Sequence, residues 1–375
     1  MSWDTVIGQQ RVKNLLRTMF DSGRIPHAMI FHGPEGTGKD AAALMLARAL
    51  NCDAGGFDPC NRCEHCRLMM TLRHPRLKLV FPMPSKDDES SAIDKLSEDE
   101  LEEMKALIDM KAENPYHRMG MAKAAGIKIS SVRDIRREAA FRAGGRGRTV
   151  VVITEADRMN GSAANALLKT LEEPSGDLLL ILATARKDAL LPTIISRCQL
   201  LRFDPLRDSE ILDALLRQPD IDPEDARAAA PLAGGSFGLA LQLAHEGGLV
   251  SREDVLTYLR AVVAYNPPKL MERIQVILGR DDRQALIRFL LVVAGWFRDV
   301  LAVQSGAGAY LLNTDLREPI TKFAEHYPDA DCSAAVDEIE RSIDLVGKNV
   351  HLANLMIVLS QRLRRCITQD GVASR

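Results

Sequence analysis

The chain has 375 residues, enough for two or three domains and a sizeable core. Its 49 basic and 51 acidic side chains nearly cancel, so no global field marks it for nucleic acid or a membrane. The opening MSWDTVIGQQ has no apolar signal region and no run of about 18 apolar residues follows it, which predicts a cytoplasmic protein with no membrane contact.

Residues 5 to 22 carry the pattern of an amphipathic helix, and HAMIFHG (27–33) that of a short buried strand. The strand runs into GPEGTGKD (33–40), and AAALMLARAL then continues as a helix. Strand, Gly-rich loop, Lys and helix make the context of a phosphate-binding loop, G-x-x-x-x-G-K-[ST]. Such a loop works because backbone N–H groups and a helix N-terminus surround phosphate oxygens with partial positive charge. Gly33, Gly36, Thr37 and Gly38 form that backbone here, and Lys39 is placed to reach the β- and γ-phosphates. The last position requires a magnesium-binding hydroxyl and holds Asp40 instead. A carboxylate beside a polyphosphate costs roughly 3 kcal/mol per charge pair at about 5 Å and an effective dielectric of about 20. Without phosphate the preference reverses, because the helix dipole favours a carboxylate in the first turn.

Seven cysteines follow unevenly, four of them crowded as Cys52, Cys60, Cys63 and Cys66 in a C-x7-C-x2-C-x2-C spacing. That spacing suits a structural zinc ion held by four thiolates better than a disulfide framework. His65 is a competing ligand, although its neighbour Cys66 has the better spacing. Residues 86 to 113 hold eleven acidic side chains against four lysines, and SEDE (97–100) has the spacing of a capping box. This predicts an exposed acidic helix on a mobile insertion spanning 85–125. Residues 126 to 148 carry seven basic against two acidic side chains, a basic helix suited either to DNA phosphates or to solvent.

RTVVVIT (148–154) and DLLLILAT (177–184) read as buried strands, separated by a helix whose Ala164, Leu167, Leu168 and Leu171 share one face. Alternating strands and helices imply a parallel sheet covered on both faces. A magnesium-binding strand of a working ATPase ends in Asp-Glu; VVVITEAD has Thr154 at the Asp position and keeps Glu155. With Asp40, this is a second change that removes magnesium chemistry, so hydrolysis is not expected here. Weak, vestigial binding of ATP or ADP stays open, as does a Gly turn with no ligand. After RFDPLRDSE the pattern is almost wholly helical, with breaks at Pro231, Gly234–Gly235 and Pro267–Pro268. The expected organisation is an α/β domain (1–206), a small helical lid (207–248) and an all-α C-terminal domain (249–375).

HAMIFHGPEGTGK, the four-cysteine insertion (51–67), NALLKTLEEP (165–174) and LLPTIISRCQLLRF (190–203) together resemble the bacterial DNA polymerase III clamp loader, an AAA+ assembly. The resemblance covers residues 1 to about 245 and implies an AAA+ P-loop domain followed by a lid and an oligomerisation collar. Asp40, Thr154, and Gly238 in GGSFGLAL where the gamma/tau ATPase subunit has a lid arginine, all point to the delta prime type. The resemblance then implies gamma/tau and delta subunits, the sliding clamp and primed DNA as partners. It also implies that Arg197, between Ser196 and Cys198, acts in trans on a neighbour's γ-phosphate, and that Thr184 stands at the sensor 1 position. Two other readings remain at this point: a working ATPase whose metal site is rebuilt from Asp40 with Glu155 or Asp157, and a stand-alone zinc-dependent nucleic-acid-binding protein.

Overall fold

In a computed structural model, the described residues are 2–84, 96–121, 124–132, 147–174, 177–245, 252–264, 266–279, 283–306, 311, 316–346 and 350–368. The chain divides into two compact units, Met1–Ala214 with Gly234–Leu239, and Leu215–Ala233 with Ala240–Arg375.

The first unit is built on a parallel sheet of β1 (Ala28–His32), β2 (Leu77–Val80), β5 (Thr149–Ile153), β6 (Leu178–Thr184) and β7 (Gln199–Arg202), in the order β2-β5-β6-β1-β7. A short antiparallel pair, β3 (Met83–Pro84) and β4 (Ala124–Gly126), stands apart from it. Side chains alternate across the sheet because the strand period is two. Met29, Phe31, Val150, Val152, Leu179 and Ile181 face α2 (Lys39–Asn51). Ile30, Val151, Ile153, Leu180 and Leu182 face α5 (Gly161–Glu172) through its Ala163, Ala164, Leu167 and Leu171. The expected parallel sheet with helices on both faces is therefore present.

Three local expectations need correction. Residues 5 to 22 are not one helix: a 3-10 turn (Trp3–Thr5) is separated from α1 (Gln10–Asp21) because Gly8 and Gln9 both take left-handed backbone, which a helix cannot contain. Pro231 does not break its helix, since α8 (Pro223–Leu232) runs through it to its last turn; the break falls at the left-handed Gly234 and Gly235. The acidic helix forms with both halves of its capping box, as α4 (Glu98–Glu113) with Ser97 as N-cap, and its acidic face is exposed as expected, but one face is not solvated, with Leu107 and Lys111 buried. Its Leu107 packs with Phe81, Met119 and Met121, with Met104 and Ile108 beside it. Of the basic stretch 126–148, residues 133–146 lie outside the described residues.

The second unit is helical. Its core gathers Tyr258, Leu259 and Val262 from α10 (Arg252–Ala264), Phe297 from α12 (Arg283–Gln304) and Leu359 and Leu363 from α15 (Leu352–Thr368). Pro267 opens α11 (Pro267–Leu278) at the first helical position behind an Asn266 cap, where a missing N–H costs nothing. Among the described residues no helix is long and apolar enough to cross a membrane.

Candidate functional site

The loop 33–40 joins β1 to α2, and its glycines are needed as glycines. Gly36 and Gly38 take left-handed backbone, and a Cβ on Gly36 would lie 1.9 Å from Ser236 Oγ. The start of the helix Phe237–His245 meets the loop, with Gly238 N–H donating to Gly36 O at 3.3 Å. Thr37 is fully buried, its hydroxyl donating to Pro34 O at 2.8 Å. The Lys39 ammonium donates to Gly33 O at 2.7 Å and to Pro34 O at 2.5 Å, and burial holds its pKa below the ordinary lysine range. Gly33 N–H donates to Thr184 O at 3.3 Å, as the β1–β6 register pairs His32 with Thr184.

The carboxylates around the loop all have cations of this chain. Asp40 Oδ2 accepts from Lys111 Nζ at 2.6 Å, and the same ammonium donates to His117 O at 2.7 Å. Lys111 sits on α4 and is 1% exposed. Glu155, in left-handed backbone just after β5, accepts from Arg118 Nε at 2.8 Å and Nη2 at 2.9 Å, and from Arg158 Nη1 at 3.2 Å. Arg118 also reaches Glu35 in the loop at 3.2 Å. Its hydrogen bonds to Glu155 hold the guanidinium pKa above even the usual arginine range. Asp157 accepts from the Thr184 hydroxyl at 2.7 Å and from both Arg186 Nε (3.0 Å) and Nη2 (2.8 Å). Thr154 turns away from the loop, its hydroxyl donating to Val80 O at 3.4 Å.

Lys111, Tyr116 and Arg118 were not legible as site residues. The one signal was periodic: Lys111 falls on the stripe of Met104, Leu107 and Ile108, where a lysine requires a buried partner. Tyr116 accepts from Ile7 N–H at 2.8 Å and stands edge-on to Phe237, 4.8 Å between centroids.

The four cysteines converge although they come from three local elements. Cys52 caps α2, Cys60 lies in the following loop, and Cys63 caps α3 (Glu64–Met70), which contains Cys66. Their sulfurs all lie within 4.8 Å of one another and the thiols are unbridged. A zinc tetrahedron with Zn–S of about 2.3 Å has edges of about 3.8 Å, so the set could hold such a metal ion with little adjustment. Backbone N–H groups of Arg62 and Cys63 favour the Cys60 thiolate and bring its pKa down to about 6. Burial pushes Cys66 up to about 12, against which the buried Arg48 of α2 favours its thiolate. His65 does not join the cysteines; its Nδ1 is 2.8 Å from Nε2 of His74. Trp3 clamps the cysteine loop, stacking on Phe57 at 4.3 Å while its indole N–H donates to Phe57 O at 2.9 Å.

Arg197 follows α6 (Pro192–Ile195) and precedes β7. Its Nη2 donates to Glu172 Oε1 at 2.9 Å and its Nη1 to Thr193 O at 3.1 Å, leaving the side chain 38% exposed. Parallel pairing of Met29 with Gln199 puts Arg197 level with the start of β1. The loop leaves the other end of that strand, about 20 Å away at 3.3 Å per residue. Arg197 therefore cannot serve this chain's own loop. Cys198 beside it is half-buried against the α5 side of the core, and burial pushes its pKa up to about 12.

The pattern of the family described as "DNA polymerase III, delta subunit" matches residues 8–207. DNA polymerase III subunit delta' of Bacillus subtilis is 29% identical over 360 residues, covering 93% of this chain and 94% of its own length. The delta' subunit of Escherichia coli is 28% identical, covering 89% and 88%. Subunit tau of Bacillus subtilis is 26% identical, over 91% of this chain but 57% of its own length. The family pattern spans more than half of the sequence, and the chain belongs to the DNA polymerase III delta' family of clamp-loader subunits.

Proposed function

We propose that the chain is the non-hydrolysing member of its clamp loader, assembled with gamma/tau and delta subunits in the cytoplasm to place a sliding clamp on primed DNA. In this reading residues 207–248 act as the lid and 249–375 as the collar that holds the assembly. The four cysteines hold a structural zinc ion, which ties the end of α2 to α3 and supplies no chemistry, since protein fills all its positions.

The observation that carries the reading is a division of labour between the two ends of the sheet. At the loop end, Asp40 and Glu155 are engaged by Lys111 and Arg118, so neither is free to hold magnesium. At the opposite end, Arg197 is half-exposed and held, among the described residues, by Glu172 and the Thr193 carbonyl. An arginine presented to a neighbour's γ-phosphate neutralises charge that builds up in the transition state, an effect of about 10³ to 10⁵ in rate for related NTPases. The guanidinium is suited to this because it is planar, bidentate and permanently charged.

The test is a reconstituted complex with gamma/tau, delta, clamp and primed DNA. Arg197→Ala should assemble normally and lower DNA-stimulated ATP turnover by at least about 10²-fold. Unchanged turnover would reject the trans role. ATP turnover by the isolated chain that disappears in Lys39→Ala would reject the non-hydrolysing reading and favour a rebuilt metal site.

A further inference from the structure

In a working phosphate loop, nucleotide and magnesium supply the charge that holds the loop to the end of the neighbouring strand. In this chain something else occupies that role. Arg118 contacts Glu35 of the loop and Glu155 after β5 at once, and Lys111 contacts Asp40 at the start of α2. Both cations come from the stretch 111–118, within and just after α4. Between them lies Tyr116, whose hydroxyl would be 3.0 Å from a Cβ on Gly38, so the ring rests directly on the loop backbone.

The arrangement is built rather than incidental. The capping box starts α4, and its Leu107 is anchored against Phe81, Met119 and Met121. That anchoring turns Lys111, one turn further along the same stripe, inward, where its described bonds are to Asp40 and His117 O. A lysine 1% exposed is tolerated only with such a counter-charge. Among the described residues, Lys39, Lys111, Arg118, Arg158 and Arg186 face Glu35, Asp40, Glu155 and Asp157. A γ-phosphate there would have to compete with carboxylates for cations that are already paired.

We infer that the insertion is the resident counter-ion of the phosphate-binding loop: residues 111–118, delivered by α4, pair the loop's Glu35 and Asp40 and the neighbouring Glu155, and hold the loop closed without nucleotide or metal. The inference rests on the non-hydrolysing reading and deepens it by naming what the loop binds instead.

Amide hydrogen exchange on the full chain tests it, read at residues 33–40 with and without saturating Mg·ATP. The wild-type loop should be protected without nucleotide and change less than about twofold when Mg·ATP is added. Arg118→Gln and Lys111→Met should each speed exchange in the loop by at least about tenfold, with residues 161–172 of the same unit unchanged as the control for its unfolding. Should Lys111→Met fail that control, Arg118→Gln, whose side chain is half-exposed, decides alone. Strong protection of the wild-type loop by Mg·ATP, or unaltered loop exchange in Arg118→Gln, would overturn the inference. A chain that binds Mg·ATP yet does not cleave it would overturn only this inference and leave the non-hydrolysing reading standing.

Discussion

Lys111 Nζ and Asp40 Oδ2 lie 2.6 Å apart although 71 positions separate them in the chain. The contact converts the loop's missing hydroxyl into half of an ion pair, and the other half is buried on an inserted helix. Asp40 itself is 24% exposed, so the two partners are unequal. Asp40→Asn strands a buried ammonium and should destabilise the first unit by about 3 to 5 kcal/mol. Lys111→Met leaves the better-solvated carboxylate and should cost less, about 2 kcal/mol. The double variant should be less destabilised than the sum of the two, and urea unfolding of all three checks the coupling.

The cysteine tetrad should lose metal as pH falls. Cys60 has its folded pKa at about 6, below the ordinary 9.0, so its thiolate contributes to the folded module above pH 9 and that contribution is lost as pH falls through 6. His74, held near 4 by burial and by His65, binds a proton more readily when unfolded, so acidification from 6.5 toward 4 disfavours the folded module too. Zinc measured by a chelating dye should be retained at pH 7 to 8 and released between about pH 6 and 4. Chelation at neutral pH should loosen residues 52–66 while leaving the far-ultraviolet signal of the sheet and helices in place.

Trp3 should be among the more costly truncations in the first unit. Its ring is 6% exposed and both stacks on Phe57 and donates to the Phe57 carbonyl. Trp3→Ala should cost about 3 to 5 kcal/mol. Trp3→Phe keeps the stacking and loses one hydrogen bond, for about 1 kcal/mol. Thermal unfolding of the two variants separates packing from hydrogen bonding.

Arg197 should be nearly neutral for stability. Its pair with Glu172 is between two partly exposed side chains, and such pairs contribute about 0 to 1 kcal/mol. Arg197→Ala and Glu172→Gln should unfold within about 1 kcal/mol of the wild type. A loss of partner turnover in Arg197→Ala then reports on the missing guanidinium rather than on folding.

In the helical unit, Tyr258 OH and Ser360 Oγ are 2.8 Å apart in the core, and Ser360 also donates to Met356 O at 2.7 Å. Tyr258→Phe should cost about 1 kcal/mol, because the serine keeps its second partner. The midpoint of denaturation should move with the slope unchanged.

The strands β1, β5 and β6 and the helices α2 and α5 are readable from residues 27–33, 41–50, 148–154, the face Ala164, Leu167, Leu168 and Leu171, and 177–184, because hydrophobic period is a local property. The capping box of α4 was readable for the same reason, since it closes within four residues. The break before α1 is equally short-range: the left-handed residues Gly8 and Gln9 cut a helix whose apolar spacing alone is continuous.

The sequence by itself determined three of the sheet's strands and its covering helices, the sulfur spacing of the tetrad, and the presence of Asp40 and Thr154 at the two positions where magnesium-binding residues are expected. Only the tertiary structure decided what Asp40 and Glu155 pair with, and that Arg197 stands at the far end of β1 from the loop. The physical reason is range. Periodicity and capping act over a few residues, whereas a buried charge takes its counter-ion from whichever element the packed core brings alongside, and here that element is an insertion 71 positions away.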